Sequence, residues 1–144
     1  MSRTYSMLGY AGLIPFLLST GLMLMGMTFF SLDPFMLFTT YSAIILSFLA
    51  GTLWGRESCK VHYLTEEKIL VISNVLSVAA WVAIVVNHLY VSLLILSVGY
   101  VVVYLKDRQQ WREKTLSDEY IQLRTHLTAV AVACHFVIVG AAIV

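Results

Sequence analysis

Charge is nearly missing from this chain, and what there is keeps out of the middle of its long apolar runs. Only 12% of the 144 residues are Asp, Glu, Lys or Arg, against 60% hydrophobic and a mean hydropathy of +0.86. A water-soluble domain carries about 25% charged residues, so this sequence has too little polar surface to cover a globule in water. Two prolines and eight glycines are too few for a disordered or linker-rich protein. The two cysteines, Cys59 in a polar loop and Cys134 in an apolar run, have no zinc-knuckle or CxxC spacing and read as free thiols. GxGxxG, P-loop, HExxH and GxSxG patterns are absent. No Asp, Glu, Lys or Arg falls in the middle of an apolar run, which argues against a proton pump, a voltage sensor or a Schiff-base pigment.

What the sequence does have is five apolar stretches, 8–30, 35–55, 69–86, 89–105 and 120–144. Each matches the roughly 20 residues a helix needs to cross a hydrocarbon core while satisfying its own backbone. The expected fold is therefore an all-α, polytopic transmembrane bundle of five spans, one integral membrane domain over residues 1–144. The first stretch exceeds the 7–15 residues typical of a signal-peptide core, so a retained span is expected. No Arg- and Ser-rich amphipathic leader precedes it. Asn87-His88 and Asp33-Pro34 are short turns, the latter because the residue before proline is pushed out of helical geometry.

Counting bases by face gives the orientation. Arg3, Arg56, Lys60, Lys68, Lys106, Arg108, Arg112, Lys114 and Arg124 are all nine, and five spans put every one on the N-terminal face. The positive-inside rule then predicts a cytoplasmic N-terminus and an exterior or periplasmic C-terminus. Thr65 and Ser117, each followed by acidic residues, are the expected N-caps of the third and fifth spans. Basic and acidic residues interleave in the loops, so a nucleic-acid surface is not expected.

Small residues recur every fourth position along the second span, at Ala43, Ser47, Gly51 and Gly55. Lipid gives apolar helices little hydrophobic reason to associate, and such a ridge lets two backbones approach. Thr125, Ala129 and Ala133 on the fifth span are the expected partner line, with Ser73 and Ser77 on the third as another. Pro15, near Gly9 and Gly12, should kink the first span. At an offset of fifty, Ser42, Leu46, Ser47 and Arg56 align with Ser92, Leu96, Ser97 and Lys106, which suggests that spans two-three and four-five are a duplicated hairpin. Trp54, Tyr63, Tyr104, Trp111 and Tyr120 fall where an interfacial aromatic belt is expected.

Polar groups inside the spans are few. Asn74 and His126 lie at similar depth and are expected to bond across helices. With Tyr41 and Trp54 they outline a candidate polar site. His88 and His135 differ in depth by about one and a half turns, too far apart to share a haem, and no cofactor or metal is expected.

Leu8-Gly9-Tyr10-Ala11-Gly12-Leu13-Ile14-Pro15-Phe16, the run from Tyr41 to Gly51 followed by Trp54-Gly55, and the last span from Tyr120 to Thr128 together resemble the domain-of-unknown-function family numbered 3429. That family includes transmembrane protein sixty-nine of mitochondria. The resemblance implies a small multi-span protein of the bacterial inner membrane. Leu53 stands where many members have histidine before the tryptophan, so no chemistry is carried over through that position. The leading expectation is a non-enzymatic accessory subunit or assembly factor acting through helix packing, partnered by the bilayer and by other membrane subunits or itself. The alternative is a membrane-embedded binder or transporter of a lipid or quinone, with a haem- or metal-bearing redox protein third.

Overall fold

A computed structural model describes residues 3–61 and 65–143; Tyr63 and Val144, which figure in the sequence reading, lie outside them. Six helices follow in order: α1 (Arg3–Ala11), α2 (Ile14–Met25), α3 (Pro34–Ser58), α4 (Glu67–Val86), α5 (Leu89–Arg112) and α6 (Asp118–Ile143). Helices α1 and α2 together form the first of five membrane-length apolar segments. No strand occurs among the described residues beyond an isolated Phe29–Leu32 bridge. Only 17% to 39% of the most apolar window of each segment is buried within the chain. The outer surface is therefore Leu, Val, Met and Phe, which only lipid can solvate.

The first span breaks at Gly12-Leu13, just before Pro15, as the proline predicts. The Tyr41 hydroxyl donates to the Gly12 carbonyl at 2.8 Å, so an acceptor freed by the break is paired inside the bundle. The span ends at Met25, earlier than residue 30. Gly26 enters the left-handed region at φ 63°, and the N–H groups of Gly26 and Met27 close on Met23 and Leu22 in a Schellman cap. The apolar residues that follow form a reverse turn, with Phe30 and Ser31 both at positive φ. At the other end α5 runs to Arg112 instead of stopping at 105, because Asp107 and Gln110 turn into the bundle. Ser117 caps α6 as expected, accepting from Tyr120 N–H at 3.2 Å. Thr65 does not cap α4. Glu66 is the cap residue, and its N–H donates to Glu57 Oε1 at 2.6 Å.

Helix α3 packs against α2, α4 and α5 and contributes more buried residues than any other helix. Phe16, Phe38, Tyr41, Tyr100 and His135 converge beside it, with ring centroids 4.7 to 6.2 Å apart. The Leu46 side chain of α3 packs onto Gly99 of α5, where a Cβ would collide with it. The burial pattern repeats along the chain. Ser42, Ala43, Leu46, Leu49, Ala50, Leu53 and Glu57 of α3 are buried, and in every case so is the residue fifty places on in α5. Ile69, Leu76 and Ala83 of α4 correspond in the same way to buried Ile121, Thr128 and His135 of α6, fifty-two places on. The serines follow the pattern. Ser92 donates to the Ala83 carbonyl at 2.7 Å, while its counterpart Ser42 lies 2.9 Å from Nε2 of His135, the counterpart of Ala83.

Candidate functional site

Three helices bring charge together at the basic ends of the bundle. Arg56 sits in the last turn of α3, Asp107 a turn and a half before the end of α5, and Arg124 about 9 Å into α6. Asp107 has no exposed surface, and Arg124 is 5% exposed. The carboxylate divides its oxygens: Oδ1 takes Arg56 Nη2 and Oδ2 takes Arg124 Nε at 2.7 Å. The remaining donors of Arg56 go to Gln110 Oε1 and the Tyr120 hydroxyl, both at 3.0 Å, with its guanidinium over the Tyr120 ring. One anion thus serves two cations. In so dry a place that imbalance is costly unless further acceptors are supplied.

The Arg124 side chain is not fully used. Its Nη2 is buried with no hydrogen-bond partner, as is Thr128 Oγ1 one turn further along α6. Both residues line a cavity of about 150 Å³ whose other walls are apolar: Leu8, Leu13 and Phe16 from the first span, Ile45 and Leu49 from α3, and Leu127 and Ala131 from α6. Tyr100 lines it too, its hydroxyl donating to the Ser42 carbonyl at 2.8 Å. An adjoining cleft of about 330 Å³ shares Leu8, Gly9, Phe48, Leu49, Leu127 and Arg124 with it. The cleft reaches Tyr5 and Tyr120 at the basic end. Helix α1, which buries none of its side chains, lies over both by resting Gly9 on Leu123 and Leu127.

Deeper in the core His135 is held differently. Its Nδ1 lies 2.7 Å from the Ala131 carbonyl, which can only accept, so Nδ1 carries the proton and Nε2 faces Ser42. This is cross-helix bonding of the kind that ties apolar helices together. His88, by contrast, is exposed at the start of α5. No group of three or more potential metal ligands occurs among the described residues.

The four residues of the sequence-derived polar site do not meet. Tyr41 bonds Gly12, Trp54 is exposed, Asn74 is exposed and donates to Leu70 of its own helix, and His126 is exposed, 3.2 Å from the Tyr10 hydroxyl. The expected Asn74–His126 bond is replaced by these two, because the side chains leave their helices toward the outside. Along the small-residue line only Ala43 is buried. Ser47 and Gly55 are half-buried, Gly51 is exposed, and a Cβ at either glycine would meet nothing within 4 Å. Thr125, Ala129 and Ala133 also face outward, so the two lines are not a seam within the chain. Ser73 does bridge helices, donating to the Ala50 carbonyl at 2.8 Å. Sequence reasoning missed Asp107, Arg124 and Thr128, having assigned all the basic residues to the membrane surface. The signal was present: Arg124, Thr128 and His135 fall on the three- and four-residue spacing of a single face of α6, with only Ala131 between the last two on that line.

Five apolar segments of spanning length, polar groups paired across helices and an outer surface of aliphatic side chains define a multi-pass membrane protein. Residues 1–140 match the family described as "Protein of unknown function (DUF3429)", and the chain belongs to it. No curated protein and no solved structure matches it.

Proposed function

We propose that this chain is a non-catalytic protein of a bacterial inner membrane that holds a small lipophilic molecule between its first span, α3 and α6. The observation that carries this reading is the apolar cavity with its adjoining cleft. A void of about 150 Å³, lined by aliphatic and aromatic side chains apart from Arg124 and Thr128, suits an apolar group the size of benzene. The cleft beside it lengthens that space toward the basic end. The gathering of basic residues supports an orientation with that end in the cytoplasm, which reporter fusions at each terminus test. The binding reading is tested by purifying the full chain in mild detergent and identifying retained lipophiles by mass spectrometry. The wild type should keep a lipophile at stoichiometric level. Ala131→Phe, which fills the cavity, should release it while still melting cooperatively. A wild type that retains none would end this reading.

One observation favours a second role as an accessory subunit. Gly51, well inside α3, and Gly55, near its end, have open space around them, and glycine inside a helix costs stability without a close neighbour. A helix of another subunit lying along Ala43, Ser47, Gly51 and Gly55 would supply one. Gly51→Leu should then abolish co-purification of a reproducible partner without disturbing the isolated fold.

A further inference from the structure

We propose that the molecule held in this cavity carries an anionic head and an acyl tail, with Arg124 binding the head. This deepens the cavity reading and rests on it. The first ground is the charge count at the cluster: Asp107 is shared between the Arg56 and Arg124 guanidinium groups. The second is that Arg124 is more than nine-tenths buried and its Nη2 has no acceptor. Asp107 fixes the Nε side, so the guanidinium is held in place and the free donor needs no reorganisation to meet a carboxylate or phosphate oxygen. The Thr128 hydroxyl, also unpartnered and one turn away on the same wall, can donate to a second oxygen of such a group.

Polarity along the bundle gives the rest of the ligand. Arg124 belongs to both the cavity and the cleft, and the walls further from the basic end are Phe16, Ile45 and Ala131. A head at Arg124 therefore lies about 9 Å inside the end of α6, near headgroup depth, with the first carbons of its tail in the cavity and the rest passing into the lipid of that leaflet. An amphiphile already in that leaflet has the same orientation and enters sideways without turning over. A free inorganic anion would satisfy Nη2 but leave the apolar walls unfilled.

The test compares oleate, oleyl alcohol and inorganic phosphate on the full chain in neutral-lipid nanodiscs, by native mass spectrometry and titration calorimetry. Oleate should bind one per chain, and the alcohol, with the same tail and no charge, about ten- to a hundredfold more weakly, the worth of one charge-assisted hydrogen bond. Phosphate alone should not bind. Asp107→Asn with Arg124→Gln, which removes the buried pair together, should erase the preference for oleate, and Thr128→Val should reduce it. Equal binding of oleate and the alcohol, both lost in Ala131→Phe, would overturn the anionic head and leave the cavity reading intact. Phosphate binding as tightly as oleate would overturn the tail. Binding of neither lipid would overturn both readings.

Discussion

Asp107→Asn puts the buried ion cluster to its most direct trial. Asparagine keeps the shape, removes the negative charge and turns an NH2 group toward one of two guanidiniums, donor against donor. Arg124, 5% exposed, becomes a stranded cation, and breaking a buried pair from one side costs about 3–5 kcal/mol. Arg56 adds little to this, because its side chain is 26% exposed and water screens its charge. The expected loss is thus near the lower bound, about 3 kcal/mol, since Arg124 stands close to the helix end. For a chain of this size that corresponds to a fall of roughly 10 °C in unfolding midpoint, followed by circular dichroism in mild detergent. The double variant Asp107→Asn, Arg124→Gln removes both partners and should recover most of the loss, giving a coupling energy of about 1 kcal/mol or more. If the single variant melted within about 1 °C of the wild type, or the two losses simply added, the cluster would be a solvated surface group and the reasoning would fail.

Three further outcomes follow from the packing. Gly99→Ala drives a methyl into Leu46 and should destabilise by about 1–3 kcal/mol, with Leu46→Ala relieving it in thermal melts of the double variant. Tyr41→Phe leaves the Gly12 carbonyl unpaired at the helix break and should cost about 1 kcal/mol, with faster amide exchange confined to residues near Leu13. Gly51→Ala and Gly55→Ala meet open space, so each should be neutral or raise the isolated chain's stability by up to about 1 kcal/mol; a clear loss in detergent would mean the helix is packed there.

Span number and most boundaries were legible because the solvent is hydrocarbon: an apolar run of sufficient length has one stable form there. The exceptions fall where apolar character ceases to discriminate. Phe29 and Phe30 are as greasy as the helix before them, yet Gly26 has already ended it, and only that glycine told of the stop. The opposite error occurs in α5, where Asp107 and Gln110 look like loop residues and are buried. A charged side chain in a sequence says nothing of whether a partner waits for it on another helix. Arg124 was counted correctly as belonging to the basic end, but its depth depends on Asp107, seventeen residues away in sequence and bonded through space. Helical direction was the other hidden variable. The Ala43 to Gly55 line drifts from the buried face to the outside, because a strict four-residue step turns farther than a helix does. The residues that do pack, Ser42, Leu46, Leu49 and Leu53, alternate three and four.

Tandem copies of one helical hairpin would begin with identical side chains in matching places and then be free to part company. The two halves of this chain differ at the step below each inward carboxylate. In the earlier half Glu57 accepts a peptide N–H and pairs with Lys60, and the place fifty-two residues before Arg124 is Ile72, an ordinary aliphatic. The later half has a guanidinium there instead. One half of the molecule thus keeps its carboxylate on the loop that follows it, while the other ties its own to two further helices, an asymmetry that a symmetric dimer of single hairpins, bound to one sequence, could never make.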